Sequence, residues 1–304
     1  WTEELLAGLL GSSIVGFHTQ YHCNNFLETV DRFLECRIDR ESSTVSYKKK
    51  LTAIKSYPIS IEWPSRWSKK LAASTICKDR IKLRHNLVGD NRKIGLGVDR
   101  LDYTKGILER FWAIERFLEK EPHWIGRFVF IQIAAPSRSN IEHYQVFQSQ
   151  VKNLAIRINK KYGSDFYQPI VLIMEHHNPE QVFEYYRAAD IMFVSSLHDG
   201  MNLVAKEFVA SREEDDGVLV LSQFTGAARE LTEALIVNPY DVDQSASAIR
   251  QALEMSLVEQ KERMKIMRGL IQEFNIYRWA GRMLLDASRL RLKNRLDNIN
   301  SKGN

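Results

Sequence analysis

Ile191-Met192-Phe193-Val194-Ser195-Ser196-Leu197-His198-Asp199-Gly200-Met201-Asn202-Leu203-Val204-Ala205-Lys206-Glu207 is the stretch on which the reading of this chain turns. Its first four residues are apolar and rich in β-formers, the pattern of a short buried strand. From Leu203 the apolar residues Leu203, Val204, Phe208 and Val209 recur at helical spacing, with Lys206 and Glu207 between them. The segment is therefore a strand, a tight polar loop with one glycine, and a helix with Asn202 at its first turn. In an open parallel sheet, ligands bind in the loops at the carboxyl ends of strands. A helix start offers N–H groups to an oxygen-rich ligand. Asp199 can accept from hydroxyls, and Gly200 lets the backbone approach closely. The same residues also suit an ordinary β-α connection capped by Asp or Asn. Locally, both readings stand.

Outward from this loop the pattern is regular. Strands are expected over 93–98, 127–135, 169–174, 191–195, 217–221 and 234–237. Helices are expected over 106–119, 139–160, 179–188, 227–231, 242–255, 257–274 and 276–296. Such alternation specifies an α/β fold with a doubly wound parallel sheet. Ahead of it come a helix over 1–10, a strand over 13–17, a helix over 24–35, and a hairpin over 44–54 turning at Lys48-Lys49-Lys50. A further strand is expected over 57–61, and one or two helices over 62–91. These shifts divide the chain into 1–62, 63–275 and 276–304, with a frayed tail from 298.

The chain has 304 residues, 44% hydrophobic and 10% aromatic, which suffices for one large or two modest domains. The formal net charge of +5 is spread over mixed Lys/Arg and Asp/Glu, which suits an anionic small ligand at least as well as nucleic acid. There is no aromatic-plus-basic RNA signature, so no nucleic-acid partner is expected. Cys23, Cys36 and Cys77 form no CxxC pair and fit reduced thiols of a cytoplasmic protein. No apolar run approaches the ~20 residues of a membrane span, so no membrane partner is expected. The start at Trp1 suggests the later part of a longer protein.

Three strand ends gather charge. After the first strand of the alternating region comes Asp99-Arg100-Leu101-Asp102-Tyr103-Thr104-Lys105-Gly106, where Arg100 and Lys105 face the same crevice as Asp199. A guanidinium and an ammonium beside a helix start suit a diphosphate. Neither GxxxxGK[ST] nor a strand-linked GxGxxG is present, which argues against a P-loop and against ordinary dinucleotide binding. After the second strand, Arg138 is either a further anion ligand or a surface ion-pair residue. Glu207 is either a ribose ligand or a solvated helix residue. His18 and His22 lie four apart, but no carboxylate follows at metalloprotease spacing, so neither a metal nor a cofactor is expected. Diphosphate, ribose and further hydroxyls together describe a nucleotide sugar.

The segments 98–106, 198–207, 221–228 (Leu221-Ser222-Gln223-Phe224-Thr225-Gly226-Ala227-Ala228) and 236–241 (Ile236-Val237-Asn238-Pro239-Tyr240-Asp241) resemble those of trehalose-6-phosphate synthases, members of glycosyltransferase family 20. Gly16-Phe17-His18-Thr19 and Tyr57-Pro58-Ile59 also sit where that family has similar segments. The resemblance runs over about residues 1 to 290 and is dense in motifs. It implies a GT-B fold and a metal-independent, retaining transfer of glucose from a nucleotide donor, commonly UDP-glucose, to a sugar phosphate such as glucose 6-phosphate. By the same resemblance Arg100 and Lys105 hold the diphosphate and stabilise the leaving group, an effect worth about 3–4 kcal/mol per donor in comparable sites. Asp199, with the backbone of Gly200, Met201 and Asn202, would hold the transferred sugar. Leu203 and Val204 would offer N–H groups to the phosphates, and Glu207 would take the ribose. The segment 176–182, ending at Val182, would lie by the nucleobase, and Arg138 would bind the acceptor phosphate. The family's proposed front-face mechanism needs no carboxylate nucleophile, in keeping with the absence of a glycosidase-like carboxylate pair.

One departure stands out. The family carries a longer N-terminal Rossmann domain ahead of the position of Trp1, with a phosphate loop, most acceptor contacts and a histidine near the transferred sugar. On this comparison residues 1–62 are the end of that domain, 276–304 include the helix that crosses back to it, and the chain alone is weakly active or inactive. Within the family, a glucosylglycerol-phosphate synthase is the rival reading. From another class, a non-catalytic nucleotide-sugar or sugar-phosphate binder is the alternative. A homo-oligomer is left open.

Overall fold

The computed structural model describes residues 1–67, 72–87, 92–137 and 140–300, the side chains of 293–294 and 296–300 set aside. The chain forms two compact units, 1–60 with 274–304, and 61–273.

In the first unit, α1 (Thr2–Leu9) precedes β1 (Ile14–Phe17), α2 (Gln20–Phe33), β2 (Arg37–Asp39), β3 (Thr44–Tyr47) and β4 (Lys50–Ser56). The sheet order is β1-β4-β3-β2, with β1 parallel to β4 and the other pairs antiparallel. The hairpin turns at Lys48 and Lys49, both at positive φ, as a two-residue turn between twisted strands requires. Cys23, Phe26, Leu27 and Val30 of α2 pack with Val15, Val45 and Ile54 of the sheet. Two sequence expectations change here. The segment expected as a strand over 57–61 forms none; β4 ends at Ser56, the Tyr57 N–H makes one further bond to the Phe17 carbonyl at 2.7 Å, and Pro58, which lacks an N–H, cannot extend the ladder. Helix α2 starts at Gln20 rather than 24, because Thr19 caps it: its Oγ1 accepts from the His22 N–H at 3.3 Å. His18 Nδ1 instead meets the Tyr57 carbonyl at 3.2 Å, and His22 Nδ1 meets Thr19 Oγ1 at 2.8 Å. The closing helix α10 (Ile276–Asn300) belongs to this unit.

The second unit is built on β5 (Lys93–Arg100), β6 (Phe128–Ala135), β7 (Ile170–Ile173), β8 (Ile191–Val194), β9 (Val218–Ser222) and β10 (Leu235–Val237). All neighbours are parallel, in the order β10-β9-β8-β5-β6-β7. Counted from β5 this is the doubly wound nucleotide-binding order, and the direction of winding reverses between β5 and β8. Helices α4 (Ile107–Lys120), α5 (Glu142–Tyr162) and α8 (Val242–Glu254) cover one face, with Phe111, Phe117, Val151, Ile158 and Ile249 buried against Phe128, Phe130, Phe193 and Val220. Helices α3 (Ser74–Arg84), α6 (Pro179–Ala188), α7 (Leu203–Ser211) and α9 (Leu257–Glu273) form the other layer. Burial on both faces explains why β6, β8 and β9 are apolar runs rather than alternating ones. Among the described residues no helix is long and apolar enough to cross a membrane.

At the amino ends of the central strands, Asp190 gathers Lys78 Nζ at 2.7 Å, Lys93 Nζ at 3.1 Å and the Ile94 N–H at 2.8 Å. Burial opposes its charge, but the two ammonium groups and the N–H outweigh burial and hold the carboxyl below its ordinary value. Its contribution is therefore complete above the ordinary carboxylate value and is lost as the pH falls through the lower folded value. Asp190→Asn should cost about 1–3 kcal/mol at neutral pH. Urea unfolding should show that gap shrinking on acidification.

Candidate active site

The crevice at the winding reversal is made by the loops that leave β5 and β8. The β5 loop is a short 3₁₀ turn, Tyr103–Lys105, capped by Asp102, whose Oδ1 accepts from the Thr104 N–H at 2.9 Å and its hydroxyl at 2.8 Å. Burial opposes the Asp102 charge, but these bonds and the charges of Arg100 and Lys105 bring its carboxyl below the ordinary value. Gly106 then takes φ +62° to enter α4. A Cβ at this position would lie 2.1 Å from the Ser195 carbonyl oxygen, so the close approach of the two loops also requires glycine.

The β8 loop meets it directly. Lys105 Nζ donates to Asp199 Oδ2 at 2.7 Å, with both side chains largely buried. Asn202 Nδ2 and the Met201 N–H add donors to the same carboxylate at 3.1 and 3.3 Å. Burial alone would raise the Asp199 carboxyl; Lys105, Asn202 and Met201 together hold it below the ordinary value. Asn202 stands at φ +75° and caps α7, its Oδ1 accepting from the Ala205 N–H at 2.9 Å. The N–H groups of Leu203 and Val204 are left at the open end of the helix, where its dipole favours an anion. The β9 loop supports this floor from behind. The Asp199 N–H reaches the Phe224 carbonyl at 3.1 Å, and the N–H groups of Gly226 and Ala227 reach the Asp199 and Met201 carbonyls at 3.0 and 2.7 Å. Gly226 is small of necessity, since a Cβ there would meet the Gly200 oxygen at 2.1 Å.

Glu207 lies farther along α7, half-buried, and accepts from the Tyr186 hydroxyl at 3.0 Å. Burial raises its carboxyl above the ordinary value, and the Tyr186 bond only partly offsets this. The neighbouring Lys206 points the other way, is 1% exposed and pairs with Glu230. Arg100 ends β5 with its side chain exposed, and Val182 sits half-buried in the first turn of α6. Arg138 lies outside the described residues.

The profile of glycosyltransferase family 20 matches residues 1–289. The chain belongs to glycosyltransferase family 20.

Among its family-20 relatives, a bifunctional trehalose-6-phosphate synthase/phosphatase of Thermoproteus tenax is 39% identical over 280 residues, 92% of this chain and 38% of the relative. A UDP-forming alpha,alpha-trehalose-phosphate synthase of Pichia angusta is 35% identical over 288 residues, 95% of this chain and 60% of the relative. The chain thus spans less than two thirds of these curated relatives. The crystal structure of alpha,alpha-trehalose 6-phosphate synthase from Burkholderia multivorans superposes with a TM-score of 0.89 at 32% identity, covering 97% of this chain and 62% of that one. A structure from E. coli bound with UDP-2-fluoro glucose gives 0.87 at 37% identity, covering 93% and 62%. These neighbours place the architecture within the GT-B type.

For this family-20 chain, the structure brings Lys105 and Asp199 of the sequence candidates together, and shows beneath them a cluster the sequence did not point to. Arg110, Gln132 and Ser195 form a buried cluster with Asp99 that sequence reasoning passed over. The signal was a charged residue one turn into an apolar helix face and a glutamine inside a hydrophobic strand, each a polar group that must be paired. Tyr186 was equally invisible, since its position opposite Glu207 is set by the packing of α6 on α7.

The raised Glu207 carboxyl has a direct consequence. Its cost is absent below the ordinary value, grows as the pH rises through it and is complete above the folded value. Glu207→Gln keeps an oxygen for Tyr186 and should raise the thermal midpoint at neutral pH, with no gain below pH ~4. Thermal unfolding across this range checks both signs.

Proposed function

We propose that this chain carries the donor-binding side of a retaining glucosyltransferase that moves glucose from UDP-glucose to glucose 6-phosphate, giving trehalose 6-phosphate. The observation that supports this most is the Lys105–Asp199 pair at the winding reversal, beside the Asn202-capped start of α7. Relatives named as UDP-forming synthases, the neighbour bound with UDP-2-fluoro glucose and another in complex with glucose-6-phosphate agree with this reading.

The donor diphosphate lies against Arg100, Lys105 and the N–H groups of Leu203 and Val204. Lys105 spends one of its three donors on Asp199 and keeps the others for phosphate oxygens. Asp199, backed by Gly200, Met201 and Asn202, takes hydroxyls of the transferred glucose. Because its carboxyl is held ionised, it accepts from hydroxyls at any pH near neutral. Glu207 takes the ribose hydroxyls, Val182 flanks the base, and Arg138 receives the acceptor phosphate. As the glycosidic bond lengthens, negative charge grows on the leaving phosphate, and Arg100, Lys105 and the helix dipole stabilise it most at that moment. The leaving phosphate itself then takes the acceptor's proton as the acceptor oxygen attacks from the same face, which preserves configuration.

Calorimetry with UDP, GDP, uridine and a short oligonucleotide tests the reading. Lys105→Ala and Arg100→Ala should each weaken UDP binding on the order of 10- to 100-fold and leave uridine nearly unchanged. Binding of the oligonucleotide with no binding of UDP or GDP would sink the proposal. Equal losses for all ligands would report misfolding.

A further inference from the structure

Arg110 lies one turn into α4 with 0% exposure, a place an arginine occupies only when its charge is paired. The sheet makes room for it. A Cβ on Gly97 would lie 2.3 Å from Arg110 Nη1 and 2.4 Å from Gln132 Oε1. The guanidinium fork works in several directions at once. Nη1 donates to Asp99 Oδ2 and Gln132 Oε1, both at 2.6 Å, Nε donates to Ser195 Oγ at 3.0 Å, and Nη2 points at the Lys105 carbonyl at 3.5 Å. Ser195 then turns its own hydrogen toward the carbonyls of Gly106 at 2.7 Å and Lys105 at 3.2 Å. The Leu197 N–H takes the Thr104 carbonyl at 2.8 Å.

The carbonyls of Thr104, Lys105 and Gly106 are thus tied to the residues that follow β8, those of Lys105 and Gly106 through Ser195, while the Tyr103 carbonyl closes the turn on the Gly106 N–H. A pair serving only the core would need Asp99 alone, and an apolar replacement often serves as well. Here the fork, not the charge, is what reaches the turn. The Asp99 carboxylate also lies close enough to interact by charge with Lys105.

We propose that Arg110 is the positioning residue of the crevice: through Ser195 it fixes the backbone of Lys105 so that the ammonium stands between Asp199 and a bound diphosphate. The final clause rests on the proposed nucleotide-sugar function; the placement of Lys105 on Asp199 does not. Two variants separate fork from charge. Arg110→Lys keeps a cation beside Asp99 but loses the planar fork. Ser195→Ala leaves the Asp99–Arg110 pair whole and removes the hydroxyl that links Arg110 to the turn, leaving only the 3.5 Å approach of Nη2 to the Lys105 carbonyl.

The experiment follows the Asp199 carboxyl by ¹³C NMR titration and UDP and uridine affinity by calorimetry, with circular dichroism and thermal melting as checks on folding. In Ser195→Ala, Asp199 should titrate nearer the ordinary carboxylate value. UDP affinity should fall on the order of 10- to 100-fold, as for a small misplacement of a binding group, with uridine unchanged. Arg110→Lys should do the same or more; if it fails to fold, Ser195→Ala decides. An Asp199 titration matching the parent chain, with a lower melting temperature as the sole change, would overturn the proposal and leave Arg110 as a stability pair. If the parent chain fails to bind UDP, the functional reading falls, while the Asp199 titration still decides the positioning.

Discussion

A full positive charge buried at the carboxyl edge of the central sheet is the constraint around which this unit is arranged. Arg110 cannot be left unpaired in a low-dielectric interior, where an isolated charge costs several kcal/mol or more. Its neighbours on four separate segments answer that demand: Asp99 at the end of β5, Gln132 in β6, Ser195 at the end of β8 and the carbonyl of Lys105. Glycine at 97 is the steric consequence on the strand beneath, and glycine at 106 is the consequence of drawing the two loops together. The largely buried pair Lys105–Asp199 stands on this foundation.

The two ends of the sheet divide their work. At the amino ends Asp190 binds β5, β8 and α3 into one block with bonds already fully used within the protein. At the carboxyl ends the polar groups are only partly used. Lys105 has spare donors, α7 opens its first turn to the crevice, and Glu207 is held at a cost by burial against Tyr186. Partly used groups in a crevice can exchange their internal bonds for bonds to a ligand. The alternation along α7 shows the same division at the scale of one residue. Lys206 faces inward to Glu230 and supports the fold, while Glu207, turned by about 100°, faces Tyr186 of α6.

Much of this was legible in the residues. The alternation of apolar runs with amphipathic segments after Arg92 specified the parallel sheet, because strands buried on both faces and helices buried on one leave different periods. Arg100, Lys105 and Asp199 drew notice because they lie at or just after strand ends, and Glu207 because it lies about one helical turn past Asn202. The segment 57–61 misled because Tyr57, Ile59 and Ile61 have strand chemistry, whereas pairing requires a neighbour with open hydrogen bonds, which local chemistry does not report. Helix α2 began early because capping by Thr19 outweighed the polar composition of the residues that follow it.

Sequence by itself determined the α/β class, the strand-loop-helix units and the list of charged residues at the strand ends, since each follows from local periodicity and from where polar groups interrupt it. Only the tertiary structure decided the strand order that puts β5 next to β8, and with it the meeting of Lys105 and Asp199 across 94 residues of chain. It alone decided that Arg110 is buried and tied to Ser195, that Lys206 faces Glu230, and that Tyr186 stands opposite Glu207. The physical reason is that burial and pairing are properties of the assembled sheet: the same side chain is a solvated charge or a buried strut according to which strand lies beside it.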